Sequence, residues 1–183
     1  MPRDIVRRAR LSDAQAIAAV HVSVSRKTYA NLLSADTVNQ FPVEFRARQW
    51  HQTIEMSDSA DTAVFVGEDA DNTIVGFGCC SGQRSEELVA KGFAGAFQSI
   101  YVLPSAQGRG VGRTLVAEMA RYLSSLSISG ASCWTLRDNE GARRFYEALR
   151  GEVVGEQASE SSAGTVLIEV AYGWLHLGSL FGE

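Results

Sequence analysis

Between a β-branched stretch and a long amphipathic one the chain reads Gln107-Gly108-Arg109-Gly110-Val111-Gly112. Glycines let a backbone take left-handed dihedrals and let a ligand come close to it. A helix that starts at such a turn aims its unpaired N–H groups, and the positive end of its dipole, back at the turn. The chemistry served is the binding of an anion, phosphate above all. Arg109 and Arg113 add charge at the rim. Two other phosphate motifs fail on spacing. A Walker loop needs Gly-Lys-Ser/Thr after four spacer residues. The dinucleotide fingerprint needs a third glycine near Thr114-Leu115. A plain strand-to-helix turn is the bland alternative, and the strand–turn–helix context favours phosphate over it.

The elements that would position this turn follow from periodicity. Phe97–Leu103 reads as a strand ended by Pro104. After the glycines, Val111, Leu115, Val116, Met119, Ala120, Leu123 and Leu126 share one helical face, with Arg113, Glu118, Arg121 and Ser125 on the other. Ser132–Leu136 is a strand and Glu140–Leu149 a helix. Upstream, Ile5-Val6 opens a short strand, and Ser12-Asp13 caps a helix carrying Ile17, Val20, His21 and Val24. Arg26–Phe41 is a polar and aromatic connector, and a second helix spans about Val43 to Met56 with Phe45, Trp50 and Ile54 inward. Thr62–Glu68 and Thr73–Cys80 form an antiparallel hairpin around Asp69–Asn72. Gln83–Gly95 is a polar loop with an apolar patch at Leu88-Val89. Strands near Glu152–Glu156 and Thr165–Tyr172 close the chain, joined by a connector at Ala158–Gly164. The βα units imply parallel neighbours and the hairpins antiparallel ones, so a mixed sheet with helices on both faces is expected.

Ile100-Tyr101-Val102-Leu103-Pro104 followed by Gln107, Gly110 and Gly112 resembles the acetyl-CoA signature of the GCN5-related N-acetyltransferase (GNAT) superfamily, whose core is Gln/Arg-x-x-Gly-x-Gly/Ala. Trp134-Thr135-Leu136, Asn139, Ala142, Phe145 and Tyr146 resemble its downstream strand and helix. Val6-Arg7-Arg8-Ala9, Ser12-Asp13-Ala14 and Ile74-Val75-Gly76-Phe77 extend the likeness over nearly the whole chain. The resemblance implies an α/β fold: a central, mostly antiparallel mixed sheet with helices on both faces and one splayed parallel strand pair. It also implies acetyl-CoA as co-substrate and transfer of its acetyl group to a primary amine. The Gln107–Gly112 backbone, with Gly108, Arg109 and Val111 and with Arg113 beyond it, would bind pyrophosphate. Ile100, Tyr101 and Val102 would hold the pantetheine arm where two parallel strands part. A backbone N–H near Val102 would polarise the thioester carbonyl.

Amine attack requires loss of a proton, because a lysine-like amine titrates near ~10.4. Departure of CoA requires a proton for a thiolate of pKa near ~8.5. Tyr146 matches the family's acid, and a phenol near ~10 gives that transfer a mildly uphill course. Tyr146 also suits a core aromatic, since Ala142, Phe145, Tyr146 and Leu149 share a helical face. Asn139 suits both a contact to the CoA arm and a helix cap. Arg143 and Arg144 suit either phosphate or solvent. Many relatives place a carboxylate where this chain has Ala96, so the base is open between Glu86, Glu87, Glu68 and water. Ser25-Arg26, Tyr29 and Leu32-Leu33 resemble an acceptor-side stretch of bacterial members, with Ser25 and Asn31 departing from it. Tyr29 is the acceptor-side candidate, and packing explains it as well. His21 and His51 read as ordinary helix residues.

Composition narrows the function classes. The 183 residues suit one domain, 1–183, with 45% apolar and 21% charged residues and a net charge of −4. Nucleic-acid binding would call for a basic chain. Met1–Asp4 offers no apolar signal core, and no apolar run reaches membrane-span length, so a cytoplasmic protein off the membrane is expected. Cys79, Cys80 and Cys133 lack metal spacing and read as packed thiols; no metal is expected. A non-catalytic acyl-CoA-binding module or sensor is the alternative to an enzyme, supported by Ala96 and opposed by Tyr146 and Asn139. The apolar Trp174–Phe181 end suits either a homodimer interface or a segment folded onto its own core.

Overall fold

The computed structural model describes residues 5–30, 33, 42–57, 61–160, 164 and 166–182. Its centre is one seven-stranded sheet in the order β1-β2-β3-β4-β5-β7-β6. The strands are β1 (Ile5–Arg8), β2 (Ala63–Glu68), β3 (Ile74–Gly82), β4 (Gly95–Val102), β5 (Ala131–Leu136), β6 (Glu152–Glu160) and β7 (Val166–Trp174). Every neighbouring pair is antiparallel except β4–β5. The helices are α1 (Ala14–Tyr29), α2 (Val43–Met56), α3 (Glu86–Ala90), α4 (Val111–Ser125) and α5 (Glu140–Ala148). A parallel pair needs a crossover, and α4 is that crossover between β4 and β5.

Helices cover both faces, as the alternation of side chains along a strand requires. On one face α4 buries Leu115, Val116, Met119, Ala120 and Leu123 against Phe97, Cys133 and Tyr172, joined by Tyr146 and Leu149 from α5. These α4 positions recur at helical spacing and are almost fully enclosed, so the stripe read from sequence packs as far as Leu123; Leu126, at the C-cap where the helix ends, is exposed. On the other face α1 (Ile17, Ala18, Val20, Val24) and α2 (Trp50, Ile54) pack on Val64, Val66, Phe77 and Cys79. Farther along that face Leu88 of α3 and Phe93 cover Ala171 beside Trp134. The three cysteines are buried free thiols.

Four local expectations change. Helix α1 runs on through Tyr29, so Arg26–Tyr29 is its last turn and not connector; the rest of that connector, Ala30 and Leu33 apart, lies outside the described residues. The Gln83–Gly95 loop contains α3, whose N-cap Ser85 accepts the Leu88 N–H at 3.4 Å and whose Leu88 is buried. Ala158–Glu160 continues β6, paired with Val166–Ile168 of β7, because cross-strand bonding outweighs the turn-forming composition there. Asp13 sits at the head of α1 without a side-chain cap to it. Its carboxylate instead takes the Arg10 N–H at 2.7 Å and pairs with Arg7 at 2.7 Å, while Arg7 also holds Glu68.

The chain end folds onto its own core. Trp174 Nε1 donates to the Leu149 carbonyl at 2.9 Å, and Leu177 and Leu180 are buried beside α4. Among the described residues no helix is long and apolar enough to cross a membrane.

Candidate functional site

Strands β4 and β5 pair only at Gly95–Ala131 and Ala96–Ser132. Both continue, β4 to Val102 and β5 to Leu136, and between them opens a cavity of about 430 Å³. The β4 edge from Phe97 to Val102 forms one wall, and Trp134 and Thr135 of β5 the opposite one. Asn139 with Gly141, Ala142, Phe145 and Tyr146 of α5, and Val24, Thr28 and Tyr29 from the C-terminal part of α1, complete the lining. Gln107, Gly108 and Gly112 close the rim. A crevice at the carboxyl ends of diverging parallel strands is where open α/β sheets bind ligands.

A β-bulge aims the wall. Cys79 pairs with Ser99 and Cys80 with Phe97, so Gln98 is the extra residue of β4. Gln98 then lines the cavity and donates to Ser81 Oγ at 2.6 Å. The phase shift is visible in packing: Phe97 and Ile100, three positions apart, face the same core, which strict alternation forbids. The sequence carried a trace of it, two consecutive polar residues (Gln98-Ser99) inside an otherwise apolar strand.

The glycine turn has the backbone an anion cradle needs. Gly110 has φ +94° and Gly108 φ +74°, and no other atom lies within 4 Å of where a Cβ on either would stand. Gly110 is the N-cap of α4, so the free N–H groups of that helix begin here. A Cβ on Gly112 would stand 3.2 Å from the Phe145 ring, so its lack of side chain lets α4 and α5 approach. Gln107 Nε2 donates to the Val102 carbonyl at 3.0 Å, which ties the turn to β4. Val111 is only 2% exposed; its side chain belongs to the core and only its backbone faces the turn's side of the helix. Arg109, Gly110, Val111 and Arg113 do not line the cavity itself; Arg113 reaches the Ala148 carbonyl at 3.5 Å. Arg143 bonds Tyr172 Oη and the Arg137 carbonyl, and Arg144 pairs with Glu140.

Three phenols converge on the cavity: Tyr29, Tyr101 and Tyr146. Tyr146 is buried, its ring packed on Phe145, Tyr172 and Trp174. Burial, with smaller contributions from Cys133, Tyr29 and Tyr101, pushes its phenol well above the ordinary tyrosine value. The group therefore keeps its proton at neutral pH and is a donor. Cys133 is pushed up to about 12 by burial, against a hydrogen bond from Tyr146, and stays a thiol. Burial also raises Tyr29, with Tyr101 and Glu169 adding to the shift. Asn139 is the helix cap its residue type suggests: Oδ1 caps α5 by accepting the Ala142 N–H at 3.2 Å, and the residue lines the cavity.

Among the described residues no Asp, Glu, Lys, Arg or His lines the cavity. Glu86 is exposed on α3, Glu87 pairs with Lys91, and Glu68 is held by Arg7 across the β1–β2 edge. His51 is exposed on α2. His21 accepts the Trp50 Nε1–H at Nδ1 (3.1 Å) and packs against Tyr101 and Phe77. Burial, with Arg46 nearby, lowers its pKa to about 4. The unfolded imidazole takes its proton near ~6.5, so stability falls as pH drops from there to about 4 and then levels. The loss amounts to roughly 3 kcal/mol in a urea titration across that window, and His21→Gln flattens the slope.

Comparison with known proteins adds three findings. Residues 27–151 match the acetyltransferase (GNAT) family. An uncharacterized N-acetyltransferase of Bacillus subtilis (strain 168), YuaI, is 33% identical over 175 residues, covering 96% of this chain and 95% of the relative. Among solved structures, PaiA N-acetyltransferase from Thermoplasma acidophilum in complex with coenzyme A superimposes with a TM-score of 0.68 at 17% identity, over 91% of this chain and 97% of that one. The putative acetyltransferase yncA from Salmonella typhimurium, with acetyl-CoA, also gives 0.68, at 16% identity over 96% and 94%.

Proposed function

The chain belongs to the acetyltransferase (GNAT) family, and from that premise we propose that residues 1–183 form one catalytic domain that carries the acetyl group of acetyl-CoA to a primary amine. The observation that carries this reading is the wedge between β4 and β5, closed at one end by a glycine turn on a helix N-terminus. The donor set fits: left-handed glycines, clear space above them and free helix N–H groups suit a pyrophosphate, and an unpaired strand edge suits an amide-bearing arm. The CoA and acetyl-CoA complexes of the two structural neighbours support the same assignment.

When bound, acetyl-CoA supplies the activated thioester. The turn from Gln107 to Gly112 holds the phosphates through backbone N–H groups, with Arg109 and Arg113 adding positive charge. Ile100, Tyr101 and Val102 line up the arm along β4, and Asn139 faces it from α5. The amine nitrogen forms a bond to the carbonyl carbon, the carbon–sulfur bond breaks, and the sulfur takes a proton. In this reading Tyr146 delivers that proton or hydrogen bond, which burial supports by keeping its phenol protonated. Tyr29 stands on the acceptor side. The described lining residues hold no carboxylate or imidazole, and the amine gives up its proton to water or to a base outside them.

The test is thiol release from acetyl-CoA with a panel of amines, alongside mass detection of the N-acetyl product. One thiol per acetylated amine is expected for at least one amine class. Binding of acetyl-CoA without turnover of any amine overturns the transfer reading.

A further inference from the structure

Gln98, the residue that the bulge inserts into β4, carries an amide whose two ends are told apart by their partners. Ser81 Oγ gives its own proton to the Gly82 carbonyl at 2.9 Å, so toward Gln98 it can only accept, and Nε2 stands 2.6 Å from it. On the other side Cys79 Sγ lies 3.8 Å from Gln98 Oε1. Burial pushes that thiol up to about 12, so it keeps its proton and donates it. The amide is thereby held with its nitrogen toward Ser81 and its oxygen toward Cys79. A thiol is a weak donor, and the oxygen keeps a second lone pair on a side chain that is exposed and lines the cavity.

The same bonds fix the face on which this oxygen stands. Cys79 packs in the cluster under α1, and Ser81, two residues on along β3, points to the same face. Gln98, bonded to both, is therefore on the α1 face, from which Thr28 and Tyr29 line the cavity, while its neighbour Phe97 packs toward α4. It lies two residues past Ala96, where the pairing of β4 with β5 ends. The glycine turn lies beyond the other end of β4, so an arm laid from it along Val102 to Ile100 runs toward Gln98, about 7 Å farther on. The described lining carries no charge, so a nitrogen there is held by neutral acceptors, and an amide oxygen accepts more strongly than a phenol or an alcohol. We propose that Gln98 holds the acceptor: its Oε1 accepts one N–H of the attacking primary amine and turns the nitrogen lone pair toward the thioester carbon. The nitrogen–carbon bond forms and the carbon–sulfur bond breaks as above, and Gln98 neither gains nor loses a proton. The inference rests on the acetyl-transfer reading above.

The experiment follows acetyl transfer against pH for the wild type, Gln98→Met and Gln98→Glu. The probes are methylamine, which offers a reacting nitrogen and nothing else, and the amine turned over fastest in the panel above. The wild type is expected to gain about tenfold in kcat/KM per pH unit through the neutral range, because an amine of pKa near ~10.4 attacks only when free. Gln98→Met, of similar size and without the amide, should lose about threefold to tenfold at every pH, the effect of one neutral hydrogen bond, and keep the slope. Gln98→Glu should flatten the slope, because a carboxylate of pKa near ~4.3 beside the nitrogen takes the proton of a bound ammonium. Acetyl-CoA affinity should stay within about twofold in both variants. A residue that only tethers β4 to β3 would not change the pH profile. Wild-type kcat/KM in Gln98→Met, or a wild-type slope in Gln98→Glu, overturns the inference. So does a loss of acetyl-CoA affinity in Gln98→Met as large as its loss of kcat/KM. If the wild type turns over no amine at all, the acetyl-transfer reading falls first and the inference with it.

Discussion

Gly110→Trp protein is expected to fold and to show no acetyl-CoA binding in a calorimetric titration that detects the wild type readily. The fold survives because a Cβ at Gly110 meets no atom within 4 Å, so the indole extends away from the core. The backbone strain is modest: φ +94° suits glycine, and another residue there costs on the order of 1–3 kcal/mol. That corresponds to a melting-temperature drop of roughly 2–10 °C for a chain this size. Binding is lost because the indole fills the space through which an anion reaches the first N–H groups of α4. A loss of about a hundredfold or more in affinity is expected, since several charge-assisted hydrogen bonds go together. A folded variant that still binds acetyl-CoA like the wild type would remove the glycine turn from the site.

Tyr146→Phe separates catalysis from packing. The ring contacts with Phe145, Tyr172 and Trp174 remain, and the hydroxyl alone is removed. The stability cost is that of one buried hydrogen bond to a thiol, about 1 kcal/mol or less. If the phenol delivers the proton to the departing sulfur, kcat falls on the order of a hundredfold while acetyl-CoA affinity stays within about twofold. The phenol can do this because burial keeps it protonated across the whole neutral range. Unchanged kcat would leave Tyr146 as a core aromatic. A joint loss of kcat and affinity would instead mark a disturbed cavity wall.

The sequence carried much of this molecule because much of its information is local. The glycine turn needs only six consecutive residues and the helix after them, and its left-handed glycines lie where the spacing put them. The stripe on α4 is a matter of helical period, and the same period placed Tyr146 and Leu149 inward on α5. Asn139 capped α5 as its residue type suggests. Local composition also misled in places. Arg26–Tyr29 is polar enough to look like connector, yet α1 continues past the buried Val24 to Tyr29, which lines the cavity. The α3 turn is too short for a periodic signal and exists because Leu88 finds a buried place beside Phe93 and Ala171.

What the sequence by itself determined was the longer elements, the family signature and the turn that can hold an anion, because each depends on neighbours within a few residues. Only the tertiary structure decided where β4 and β5 part and that Gln98 is the extra residue that swings the strand. Those are matters of register between strands distant in the chain. A slip of one residue turns every side chain of a strand to the other face, so the pairing across the sheet, and not the residues along it, settles which groups meet.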